Sequence, residues 1–137
     1  MIQDQSILQD VRAEWAFVRR AQNMMALGHN SSLVGGFPTT QDFKNATYSL
    51  CLLFAFSVLE RVLAQLKNEG MFSCGSRQLG CLMAASRSNL AWVDYALVDQ
   101  ARVARNRVAH HYEWPDRIDC WKYLDAIEAE LKAWQIV

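Results

Sequence analysis

Proline and glycine are scarce in this chain, with two prolines and six glycines among 137 residues. Long unbroken elements are therefore allowed, and Gly28, Gly35, Gly36 and Gly70 fall where helices would end. Alternating runs of β-branched residues and internal repeats are both missing, which excludes a sheet protein and a repeat array. Paired cysteines are missing too. Cys51, Cys74, Cys81 and Cys120 form no CxxC pair, and none stands near a His at zinc-finger spacing, so they read as reduced core thiols with no metal and no cofactor. Charge of one sign is missing: 14 basic side chains balance 14 acidic ones. No global field draws the chain onto nucleic acid or an acidic membrane, and a nucleic-acid site has to be a local patch. The N-terminus, MIQDQSILQDVRAEWAFVRR, lacks the basic start, apolar core and cleavage site of a secretory signal, which predicts a cytoplasmic protein. The longest uncharged stretch, Asn45 to Leu59, is shorter than the roughly 20 apolar residues of a spanning helix and reads as a buried one, so no membrane is expected.

What remains is a foldable globular composition, 52% hydrophobic and 20% charged, in one domain's length. Apolar residues recur at steps of three and four. Ile7, Leu8, Val11, Trp15, Val18 and Met25 mark a first helix ending before Gly28, and HNSSLVGGFP reads as a loop. Thr39 or Thr40 then caps a second helix reaching about Asn68, in which Phe43, Ala46, Leu50, Leu53, Phe54, Val58 and Val62 cover more than one face. Leu79, Leu82 and Met83 allow a short helix between Gly75 and Asn89. A further long helix is marked from Leu90 to about Ala109 by Val93, Leu97, Ala101, Ala104 and Val108. Pro115 stops the chain and restarts it, with Ile118, Trp121, Leu124, Ile127, Leu131 and Trp134 lining the last helix. The expectation is all-α: one domain over residues 1–137, an antiparallel bundle of four to five helices.

Chemistry concentrates in one segment. Arg102, Arg105, Arg107, His110, His111 and Tyr112 fall within eleven residues near the end of the fourth helix, followed by Glu113. Arginine is a permanent forked clamp for phosphate, and histidine exchanges protons near neutrality. Together they suit phosphate-ester chemistry without metal. The plain reading is that Arg and His at a helix C-terminus complement the macrodipole.

The order Arg105, then four residues of which Asn106 is the first, then His110 and, two further on, Tyr112 resembles the Arg-x4-His-x-Tyr signature of the HEPN superfamily, in the form typical of toxins paired with a minimal nucleotidyltransferase antitoxin. By chance about 0.2 matches to Arg-x4-His are expected in this composition, and about 0.006 once the tyrosine is required. The resemblance implies a HEPN-like bundle and a metal-independent endoribonuclease acting on RNA. In it Arg105 and His110 would be catalytic with Asn106 orienting one of them, while Arg102, Arg107 and His111 would bind substrate. His111 is the other candidate for proton transfer. Tyr112 would be the residue a nucleotidyltransferase partner adenylylates, and Glu60 an orienting group. The family site usually lies in a cleft between two subunits. On a straight helix His110 lies roughly 140° around from Arg105, which predicts either unwinding near His110 or a homodimer. A face of Asp94, Val98, Arg102 and Arg105 is the expected dimer contact. The alternative is a non-catalytic HEPN bundle that binds a nucleotide or a partner protein, and a plain helical adaptor is a third reading. His29 reads as a loop residue, and the five tryptophans as core or interface.

Overall fold

The computed structural model describes residues 1–28, 33–34, 37–38 and 40–137. Five helices are present: α1 (Gln5–Gly28), α2 (Gln41–Asn68), α3 (Leu79–Ser86), α4 (Tyr95–His111) and α5 (Arg117–Ala133). Between α1 and α2, β1 (Leu33–Val34) and β2 (Phe37–Pro38) form a two-residue antiparallel pair, within the segment read from sequence as a loop. His29 and Thr39 lie outside the described residues.

Four of the five helices start where a side-chain oxygen can take an unpaired N–H. Asp4 Oδ1 accepts from Ser6 and Ile7 at the head of α1. Thr40 caps α2 through Phe43 N, Asp94 caps α4 through Leu97 N, and Asp116 caps α5 through Asp119 N. The Asp94 cap sets α4 five residues later than the periodicity suggested. Leu90 is buried ahead of the helix, while Val93, taken as a helical marker, is exposed. Gly70 ends α2 at φ 80, with Gly70 N bonded to Lys67 O and Met71 N to Leu66 O; only glycine reaches that left-handed conformation without a Cβ penalty. Gln135 makes the same closure after α5 at φ 58, turning the fully buried Ile136 back onto the bundle.

α2 is the central element and packs against α1, α3, α4 and α5. Leu52, Phe56, Leu59, Leu63 and Leu66 on it are fully buried, as are Val11, Leu82, Val98, Leu124 and Ile127 on the other helices. Each such side chain contributes about 1.5–3 kcal/mol of transfer free energy. Phe43, Leu50 and Phe54, on the apolar stretch of α2, are nevertheless exposed, because the helix is apolar around more of its circumference than its neighbours cover. By length and composition Phe43–Asn68 would suffice to cross a membrane; 56% of its most apolar window is buried inside the bundle. Ile118 is also exposed, since the first turn of α5 points it outward. Val98 faces the core of its own chain, so the Asp94, Val98, Arg102 and Arg105 face is no free surface and cannot serve as the dimer contact expected from sequence.

Charged groups fasten the helices at their edges. Arg19 of α1 reaches Glu128 and Asp125 of α5, and Arg61 of α2 reaches Glu14 and Asp10 of α1. Glu69 accepts from Gln3 N and Asp4 N, holding the N-terminal residues against the end of α2. The most enclosed carboxylate is Glu130 of α5, which accepts from Val93 N and Asp94 N at 2.7 Å each. One turn on, Trp134 Nε1 donates to Ala91 O at 3.1 Å, and the Trp92 ring packs edge-on between Trp134 and Tyr95.

Glu130→Ala is expected to lower unfolding free energy by about 2–4 kcal/mol in urea titration, because two charge-assisted bonds go and two N–H groups lose their acceptor. A loss below about 0.5 kcal/mol would refute that role.

Acid should weaken the fold through two carboxylates. Burial pushes Glu128 up, but bonds from Lys132 and Arg19 outweigh it and hold its pKa below the ordinary value. At Glu69 burial is likewise outweighed, by bonds from Gln65, Gln3 and Asp4. A depressed folded pKa means the stabilisation is present above the unfolded value, about 4.3, and is lost as pH falls through the folded one. The melting temperature should therefore fall below about pH 4.3, and fall less steeply in Glu128→Gln than in the parent. Parallel curves for the two proteins would exclude Glu128 as a contributor.

Candidate functional site

On α4, residues 102, 106 and 110 succeed one another at four-residue steps and form one row, with residue 105 alongside. Arg102, Arg105, Asn106 and His110 line a single cavity of about 580 Å³, together with Glu60 from α2 and Gln78, Leu79, Gly80 and Cys81 from the head of α3. The helix runs unbroken through His111, so the expected unwinding around His110 does not occur. Nor is a second subunit needed to bring Arg105 and His110 to one cavity. The 140° between their Cα positions is spanned because arginine is long and Asn106, one turn before His110, links the two directions.

The cations of this cavity differ in how far they are neutralised. Arg102 Nε donates to Asp99 Oδ1 at 2.8 Å, one turn earlier on the same helix. Arg105 reaches no carboxylate among the described residues: its Nη1 donates to Asn106 Oδ1 at 3.2 Å, and its Nε is buried without a partner. Glu60 makes no ion pair or hydrogen bond among the described residues. It lies in the cavity as a carboxylate with unused acceptor capacity.

The start of α3 adds a second source of positive potential. Its N-cap, Gln78, offers no side-chain acceptor, and the N–H groups of Leu79, Gly80 and Cys81 have no protein acceptor among the described residues. Arg102 lies against this end, with Nη1 3.4 Å from where a Cβ on Gly80 would sit. A positive helix end and two guanidinium groups converge on one space. An anion there would relieve the repulsion between them and take up the free donors.

Other residues named from the motif lie elsewhere. Arg107 and His111 are exposed and do not line the cavity; Arg107 stands 4.0 Å from Glu113. Of the two adjacent histidines, His110 is the one in the cavity. Tyr112 does not line the cavity. It takes up left-handed backbone at φ 54, which ends the helix, and its side chain is 77% exposed with the ring 6.3 Å from that of Trp114. Gln78, Leu79, Gly80 and Cys81 were not singled out from sequence, because nothing local marks them as neighbours of residues more than twenty positions away. The one signal was a short helix with glutamine where a capping residue is usual.

The remaining thiols are structural. Burial pushes the Cys51 thiol up to about 11 and the Cys120 thiol up to about 12. Among the described residues no group of three or more His, Cys, Asp or Glu side chains is placed to hold a metal ion. A separate cavity of about 490 Å³, lined by Phe17, Met24, Phe43 and Phe54 among others, is apolar and holds no acid or base pair. Comparison with protein-family models, with curated proteins and with solved structures finds no match for this chain.

Proposed function

We propose that the chain is a cytoplasmic, metal-independent endoribonuclease of the HEPN type, the toxin of a toxin–antitoxin or phage-defence pair. The observation that carries this reading is the joint lining of one anion-attracting cavity by Arg102, Arg105, Asn106 and His110, with Glu60 facing them from α2. A phosphodiester in that cavity lies between a permanent cation and a group able to exchange protons near neutrality.

In this mechanism His110 takes the proton of the ribose 2′-hydroxyl, the 2′-oxygen attacks phosphorus, and the 5′-oxygen leaves with a proton returned to it. The product is a 2′,3′-cyclic phosphate. Arg105, held by Asn106, meets the charge that builds on the phosphorane oxygens, the largest single contribution such a site makes. Arg102 binds the phosphate in the ground state. Glu60 orients the His110 ring or the substrate sugar. Tyr112, exposed at the end of α4, is the acceptor proposed for adenylate from a nucleotidyltransferase antitoxin; the added phosphate would lie beyond the helix end.

A second reading is favoured by the free N–H groups of α3: an anion-binding bundle that holds a nucleotide without cleaving it. The two separate on one experiment. RNA is expected to be cut in the presence of chelator to 2′,3′-cyclic ends, read by end-group mass spectrometry. His110→Ala should abolish cutting with an unchanged circular dichroism spectrum, and Arg105→Lys should lose about 10²-fold or more despite keeping the charge. Binding of ribonucleotide without any cleavage would select the second reading, and full activity in His110→Ala would overturn the first.

We also propose a homodimer, supported by the exposed Phe17, Phe43, Leu50 and Phe54 on neighbouring parts of α1 and α2; Phe17 and Phe54 already pair at 5.7 Å. Light scattering at micromolar concentration should give about twice the chain mass of 15.7 kDa, and Leu50→Glu should return it to one chain. A single-chain mass for the parent at all concentrations would exclude the dimer.

A further inference from the structure

Beside the cavity of His110 lies a second one, of about 340 Å³, lined by Ser57, Glu60, Arg61, Ala64 and Arg77. Glu60 belongs to both, so the two spaces adjoin across one side chain. Arg61 is already engaged by Glu14 and Asp10 of α1. Arg77 is different: it is exposed, it precedes α3, and it has no ion pair or hydrogen bond among the described residues. The stretch from Arg77 through Gln78 to Cys81 therefore runs from the second cavity into the first, carrying a free guanidinium at one end and free N–H groups at the other.

We propose that the two cavities form one track for an extended single-stranded polynucleotide, in which Arg77 holds a phosphate neighbouring the one held by Arg102 and Arg105. This rests on the nuclease reading and adds where the strand goes. The carboxylate of Glu60 stands between the two cationic positions, which repels phosphate at the midpoint and leaves that place to a sugar. A chain of phosphates at regular intervals fits that alternation of cation, carboxylate and cation better than a single compact anion does. A flexible single strand can follow two adjoining concave spaces, whereas a duplex presents its phosphates on a stiff convex surface. Among the described residues no Phe, Tyr or Trp lines either cavity, so recognition falls mainly on the backbone. Binding along the track is accordingly tolerant of base identity and steeply dependent on salt.

The probe is a fluorescent 2′-deoxy octanucleotide, which lacks the attacking hydroxyl, with a 2′-deoxy dinucleotide and a duplex of the same sequence beside it. Anisotropy is read at several salt concentrations for the parent, for Arg77→Ala and for Lys122→Ala, a control on the exposed face of α5. The octanucleotide should bind roughly 3- to 10-fold more weakly to Arg77→Ala, with the slope of log affinity against log salt reduced by about 0.7. The dinucleotide should bind equally to all three proteins, and the duplex more weakly than the single strand. Equal octanucleotide affinity and slope in Arg77→Ala and Lys122→Ala would overturn the track while leaving the nuclease reading intact. So would a preference for duplex, or an equal loss for dinucleotide and octanucleotide. Failure of the parent to bind any of the probes would overturn both.

Discussion

The Glu130 carboxylate decides where α4 begins, and the candidate site follows from that. It takes the N–H groups of Val93 and Asp94, the last two residues before the helix, while Trp134 holds Ala91 and the Trp92 ring fills the angle between Trp134 and Tyr95. All of these fasten one connection to the last helix of the chain. With Asp94 fixed as N-cap, the phase of every residue on α4 is set. Val98 and Ala101 then fall inward, and Arg102, Asn106 and His110 fall on the side that meets α3 and α2. A shift of one residue at the cap would rotate that row by about 100° and take it out of the cavity.

The central helix contributes in a different way. Glu60 and Arg61 are consecutive, so they leave α2 about 100° apart. Arg61 turns to the carboxylates of α1 and ties those two helices together, while Glu60 turns to α4 and becomes part of the cavity. One pair of adjacent charges thus marks the border between structural edge and site. Charged residues on a long buried helix sit where its packed surface ends, and here that border is also where α3 and α4 leave a gap.

Most of the unusual electrostatics lies in that gap. Elsewhere several arginines are matched: Arg19 and Arg61 by carboxylates, Arg12 by the carbonyl of Ile136, Arg87 by the ring of Tyr95. In the cavity Arg105 has only Asn106, its Nε is buried without an acceptor, and three N–H groups at the head of α3 are open. Concentrated donors without acceptors lower the stability of a fold, and they are the feature that an anionic ligand would satisfy.

The helices were legible because their periodicity is strong and part of their punctuation is chemical, with Thr40 as a cap, Gly70 as a terminator and Pro115 as a stop; the Asp94 cap was not read, and α4 was accordingly placed five residues early. The closeness of Arg102, Arg105, Asn106 and His110 along the chain was legible, but helical phase was read as separating Arg105 from His110, and the row of residues 102, 106 and 110 emerged only with the unbroken helix. Three further things were not legible. Tyr112 left the helix for a left-handed turn, so phase could not place it. Val98 proved to be core of its own chain, where the mixed face it shares with Asp94, Arg102 and Arg105 had been expected to meet a second copy. Glu60 had been named, but the other partners of the α4 row, at the head of α3, come from residues 21 to 32 positions earlier, and only packing around α2 brings them together. Local sequence determined the helices, their ends and the order of chemical groups along each, because those depend on neighbours within a turn. Which of these groups share a space depended on burial across the whole chain, and tertiary structure alone decided it.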